Sequence, residues 1–155
     1  MRFMTPKTLP LPPEGDKTPA KAAPIVQASA APVTAPTGKK ILIVEDERPL
    51  AHALEMKFRN QGYETQVVMN GVEALAALKV GGIGLVLLDL IMPVMDGFAV
   101  LAELKKQGNK IPVIVLSNLG QDEDRAKTKE LGAIDYFVKS NTPIADIVTR
   151  AKSVL

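Results

Sequence analysis

Ile83-Gly84-Leu85-Val86-Leu87-Leu88-Asp89-Leu90-Ile91-Met92-Pro93-Val94-Met95-Asp96-Gly97 is the stretch from which the rest of the chain can be read. It opens as a short apolar run of the length a buried strand needs. Asp89 then interrupts it. An isolated carboxylate in an apolar interior would take up a proton rather than stay charged. Either the strand ends at Asp89 and releases the carboxylate at a sheet edge, or the residue has a partner. The turn signal Pro93, Asp96-Gly97 favours the first reading. A charge at the carboxyl end of a buried strand lies where open α/β sheets keep their ligand sites.

Working outward, strands and helices alternate on both sides. Ile41-Leu42-Ile43-Val44 is a β-branched apolar run, a first buried strand. A helix follows from about Pro49, since proline is tolerated in the first turn. Leu50, Leu54 and Phe58 share one face of it, and Gly62 can end it. Glu64 to Val68 is a second strand. Asn70-Gly71-Val72-Glu73 resembles a capping box with Asn70 at the N-cap, and its helix runs to about Val80. After the Asp89 strand, Asp96 can cap a helix carrying Phe98, Leu101 and Leu104 that ends near Gly108. Pro112 to Leu116 is the fourth strand, Gln121 to Leu131 a helix closed by Gly132, and Ile134 to Val138 the fifth strand. Thr142-Pro143 reads as N-cap and N1 of a last helix. Such alternation predicts an α/β fold with helices on both faces of a five-stranded parallel sheet. Right-handed crossovers favour the flavodoxin-like order 2-1-3-4-5 for this (βα)5 sandwich.

Residues 1–38 are different material. They hold eight of the chain's 12 prolines, interleaved with alanine, threonine and lysine. Prolines at this density remove amide donors and block helix and sheet, so 1–38 reads as a disordered Pro/Ala-rich tail or linker, and 39–155 as the folded domain. The formal charge of the 155 residues is +2, and it arises within 1–38, leaving 39–155 balanced. That balance gives no reason to expect direct nucleic-acid contact. There is no cysteine and only one histidine, His52, which excludes a disulfide framework, thiolate metal sites and histidine-cluster zinc chemistry. No apolar stretch reaches the ~20 residues of a membrane span, and the N-terminus lacks a signal-type apolar region. The expectation is a cytoplasmic protein with no membrane insertion.

In a parallel sheet all carboxyl ends share one edge. The first strand delivers Glu45 and Asp46 there, the third Asp89, the fourth Ser117 and the fifth Lys139. Strands one and three are neighbours in the expected order, so three carboxylates converge. They would raise one another's pKa unless a hard divalent cation joined them, and Mg²⁺ suits carboxylates plus waters and phosphate oxygens. With the hydroxyl of Ser117 and the ammonium of Lys139 beside them, the set suits phosphoryl transfer with Asp89 as nucleophile.

These residues resemble the receiver domain of two-component response regulators, of the single-domain, chemotaxis-regulator-like kind. The resemblance runs from about Lys39 to Leu155 and is carried by Ile41-Leu42-Ile43-Val44-Glu45-Asp46, by Leu87 to Gly97, by Val115-Leu116-Ser117-Asn118 and by Tyr136-Phe137-Val138-Lys139. It implies Asp89 as phosphoacceptor, loaded by a sensor histidine kinase or phosphotransfer protein. It implies Mg²⁺ held by Asp46 directly, by Glu45 through water, by Asp89 and by the backbone carbonyl of Ile91. Ser117 and Tyr136 would be a switch pair, and Lys139 would pair with the phosphoryl group. The switched face would be the fourth helix, fifth strand and fifth helix, binding a downstream protein or a second copy. Such a module is not an enzyme, and no output domain follows the last helix. The family often has proline after the lysine; here Ser140 follows, and the isomer of that bond stays open.

Two finer expectations come from the residues. Between Gln121 and Leu131 only Ala126 and Leu131 are apolar, so the fourth helix is weakly anchored and suited to moving. Ile91 and Leu119 flank the site and would crowd an in-line water, favouring a long-lived aspartyl phosphate. Other functions fit less well. A haloacid-dehalogenase-type phosphatase wants a second Asp where Ile91 stands. A flavin binder wants amides and hydroxyls where Glu45, Asp46 and Glu47 would repel phosphate. An unphosphorylated scaffold would not need the full residue set.

Overall fold

The computed structural model describes residues 39–155; the expected proline-rich tail lies outside the described residues. The elements are β1 (Lys40–Val44), α1 (Arg48–Asn60), β2 (Glu64–Val68), α2 (Gly71–Val80), β3 (Ile83–Asp89), α3 (Gly97–Lys106), β4 (Val113–Ser117), α4 (Asp122–Glu130), β5 (Asp135–Val138) and α5 (Ile144–Val154). All strand pairs are parallel, in the order β2-β1-β3-β4-β5. This is the flavodoxin-like sandwich expected from the sequence.

Alternation along the strands divides the core in two. Ile41, Ile43, Leu85, Leu87, Ile114 and Leu116 point to one face and pack with Leu54 and Phe58 of α1 and Ile147 and Ala151 of α5. Leu42, Val44, Val86, Leu88, Val113 and Val115 point to the other and meet Ala74 and Leu78 of α2 and Leu101 and Leu104 of α3. Because both faces of β1, β3 and β4 are covered, these strands read as unbroken apolar runs. The Phe58 ring is fully buried, a contribution of about 1.5–3 kcal/mol.

Several boundaries move by a residue. β4 begins at Val113 rather than Pro112, because proline has no N–H for the ladder; the Pro112 carbonyl still accepts from Val86 N–H at 3.0 Å. Pro143 is the N-cap of α5 rather than its N1, and Thr142 does not fill that position. At α2, Asn70 Oδ1 accepts from Glu73 N–H at 3.0 Å, while Glu73 Oε2 reaches past the N-cap to Met69 N–H at 2.9 Å. Asp96 caps α3 as expected, accepting from Ala99 N–H at 2.8 Å. No helix among the described residues is long and apolar enough to cross a membrane.

The loop from β3 to α3 closes tightly over the strand end. Gly97 N–H donates to the Leu90 carbonyl at 3.0 Å, and a Cβ on Gly97 would collide with the Asp89 carbonyl. Val94 in this loop has φ 70° and is 81% exposed.

Candidate functional site

Asp89 closes β3 beside Leu116 of β4, and its side chain is almost wholly buried. Two partners offset that burial. Asp89 Oδ1 accepts from Ile91 N–H at 3.2 Å, and Oδ2 accepts from Lys139 Nζ at 2.9 Å. Lys139 arrives because β5 ends beside β4, its N–H donating to the Ser117 carbonyl at 2.9 Å. The Lys139–Ser140 bond is trans.

Glu45 emerges from β1 at 1% exposure. Its Oε1 accepts from Glu47 N–H at 3.0 Å. Its Oε2 lies 2.7 Å from Lys139 Nζ, an ion pair without hydrogen-bond geometry, so this buried oxygen accepts no hydrogen bond. Burial pushes the Glu45 carboxyl up to about 7, and the Asp89 charge adds to the rise against the pull of Lys139. Burial alone would depress the Lys139 ammonium, but its contacts with Glu45, Glu47 and Asp89 prevail and hold it above the usual lysine range.

One ammonium thus faces three carboxylates. Oxygens of Glu45, Glu47 and Asp89 lie within 4.8 Å of one another. Three hard oxygen donors and one buried oxygen without a hydrogen bond fit a small divalent cation. Asp46, Glu47, Asp89, Ile91, Asn118 and Lys139 line an open cleft of about 270 Å³ over this cluster. Of the sequence-derived residues, the fold brings Glu45, Asp89 and Lys139 into direct contact and puts Asp46 and Ile91 on the cleft wall.

Glu47 is the residue whose contact with Lys139 the sequence reading passed over. It appeared there only as one charge in an acidic run. That run, Glu45-Asp46-Glu47, was the available signal.

Ser117 and Tyr136 lie on the α4 side. Ser117 is fully buried, and its Oγ accepts from Leu119 N–H at 3.1 Å. The Tyr136 phenol donates to the Leu119 carbonyl at 2.5 Å. Burial raises the phenol pKa, and contact with the Ser117 hydroxyl opposes that rise. The Arg125 guanidinium of α4 stacks over the Tyr136 ring at 4.8 Å. His52 is a surface residue, with Nδ1 3.9 Å from Glu55 Oε2.

A parallel sheet with an acidic, lysine-bridged cluster at its carboxyl edge places the chain among α/β proteins that carry their site at the strand ends. The sequence profile of the family described as "Response regulator receiver domain" matches residues 41–152, and the chain belongs to that family. Receiver domains are two-component signalling modules, switched by phosphorylation and generally binding Mg²⁺ at an acidic pocket. The chain is 41% identical over 117 residues to "Probable transcriptional regulator ycf27" of Cyanophora paradoxa, covering 76% of this chain and 48% of that protein. To "Transcriptional regulatory protein PrrA" of Mycobacterium tuberculosis it is 35% identical over 122 residues, covering 79% and 52%. The chain therefore spans about half the length of these relatives. Among solved structures, the Francisella response regulator 1452 receiver domain superposes with TM-score 0.71 at 30% identity, covering 75% of this chain and 95% of that one. The BeF3-activated receiver domain of Klebsiella pneumoniae RstA gives TM-score 0.69 at 28% identity, covering 75% and 97%.

Proposed function

We propose that this chain is switched by phosphorylation at Asp89. One observation carries the reading: the Asp89 carboxylate stands at the end of β3, bonded to Lys139 and facing an open cleft. An Asp89 oxygen attacks phosphorus of a phosphohistidine on a histidine kinase or phosphotransfer protein. The P–N bond breaks, and its electron pair leaves with the imidazole. Lys139 turns its ammonium to the transferred phosphoryl oxygens. Glu45, Asp46, Asp89 and the Ile91 carbonyl hold Mg²⁺, with the Glu45 contact made through water. An ion held by these residues would offset the carboxylate charge and supply Lewis-acid attraction for the phosphoryl oxygens.

Ser117 turns its hydroxyl to a phosphoryl oxygen and gives up Leu119 N–H. The Tyr136 phenol, held by the Leu119 carbonyl and stacked under Arg125, then follows the same loop. The change reaches the face of α4, β5 and α5, which binds a protein partner or a second copy. Balanced charge over 39–155 supports a protein rather than nucleic acid as the reader of that face. The chain carries out phosphotransfer to itself and turns over no small-molecule substrate.

The test is Mg²⁺-dependent labelling by a small phosphodonor such as acetyl phosphate. Wild type takes up one phosphoryl group, and Asp89→Asn takes up none. Equal labelling of both proteins, or of neither, refutes the assignment.

A further inference from the structure

Glu47 occupies the N-cap position of α1, but its side chain caps no amide. It turns instead to Lys139, whose Nζ donates to Glu47 Oε1 at 2.9 Å. The Glu47 backbone is pinned by its N–H bond to Glu45 Oε1. Lys139 directs its other hydrogen bond to Asp89 Oδ2, while its contact with Glu45 is an ion pair only. The two bonded carboxylates differ in surroundings: the Glu47 side chain is 55% exposed and that of Asp89 4%.

We propose that Glu47 is a positioning residue that holds Lys139 in the resting site and competes with the incoming phosphoryl group for it. This rests on Asp89 as the phosphoacceptor. An ammonium has three donors, and here three carboxylates surround them. A phosphoryl group arriving at Asp89 draws the ammonium toward its own oxygens, and the carboxylate held most loosely gives the lysine up. Glu47 is that one, because its exposed oxygens regain water when the lysine leaves, whereas Glu45 and Asp89 are buried. When the phosphoryl group departs, Glu47 takes the lysine back.

The experiment compares full-length wild type, Glu47→Gln, Lys139→Ala and the double variant. Two quantities are read, each at Mg²⁺ concentrations that calorimetry shows to be saturating: the initial rate of labelling by acetyl phosphate, and water exchange of the Lys139 ammonium protons in ¹⁵N-lysine protein. Glu47→Gln labels about two- to fivefold faster, the range expected for losing an exposed ion pair. At saturating Mg²⁺ it speeds ammonium exchange at Lys139 and adds no acceleration on the Lys139→Ala background. Acceleration that persists without Lys139 would show the carboxylate acting through its field on the anionic donor, and would overturn the proposal. So would an unchanged labelling rate or unchanged ammonium exchange. Failure of wild type to label would instead remove the Asp89 assignment on which the proposal stands.

Discussion

Glu45 is buried and charged beside a second buried carboxylate, and its pH behaviour follows from that. Its carboxyl is pushed from 4.5 to about 7 in the folded protein. Below the lower value it is protonated both folded and unfolded, so burial costs nothing. Between the two values the unfolded chain releases the proton more readily, and the folded state loses ground. Above the upper value the loss is complete, on the order of 3 kcal/mol. Glu45→Gln keeps an acceptor for Glu47 N–H and removes the charge. In metal-free buffer it should melt above wild type at pH 8, with the gap closing as pH falls toward 4.5. A gap that is flat across this range in thermal melts would contradict the argument. The convergence of Glu45, Asp46 and Asp89 was legible because each stands at the end of an apolar strand, so strand direction alone sends them to one edge. The part played by Glu47 was not legible. It begins a helix, and only the return of Lys139, 92 residues later, gives its carboxylate a partner.

Val94 shows what the loop after β3 requires. A β-branched residue with positive φ is strained by about 1–2 kcal/mol. Its side chain is exposed and recovers little by packing. Val94→Gly should therefore raise the unfolding free energy by about 0.5–1 kcal/mol, the strain relieved being partly offset by the flexibility glycine adds to the unfolded chain. Urea denaturation measures it, and a destabilised variant would show that the valine side chain makes a contribution of its own.

α4 presents the opposite case. Thr128 is its one buried residue, as its polar sequence implied. What fixes it was invisible to periodicity. Arg125 lies over Tyr136, Lys127 lies over Phe98 at 4.3 Å, and Lys105 Nζ donates to the Glu130 carbonyl at 2.8 Å. Cation–ring contacts of this kind join residues from separate elements, and a hydrophobic pattern has no term for them. The one-residue shifts at β4 and α5 have a simpler origin. Pro112 and Pro143 each stand at a boundary, and proline marks such a place without saying on which side of it the element starts.

The order of the strands and the division of the core were readable because parallel strands covered on both faces leave unbroken apolar runs, and alternation within them assigns each residue to a layer. Among the described residues, both apolar clusters begin at Ile41 and Leu42. The sequence reads 1–38 as a proline-rich tail with little to bury, so a chain cut to 39–155 should melt within about 2 °C of the 155-residue chain. A larger drop in calorimetry would mean that residues 1–38 contribute to the fold. The bridging of three carboxylates by Lys139 has a consequence for the order of events after synthesis. The protein carries its own counter-ion, supplied by the last strand of the sheet. Folding can finish with part of the cluster's charge already offset from within, so the strand ends can close together before any outside cation arrives.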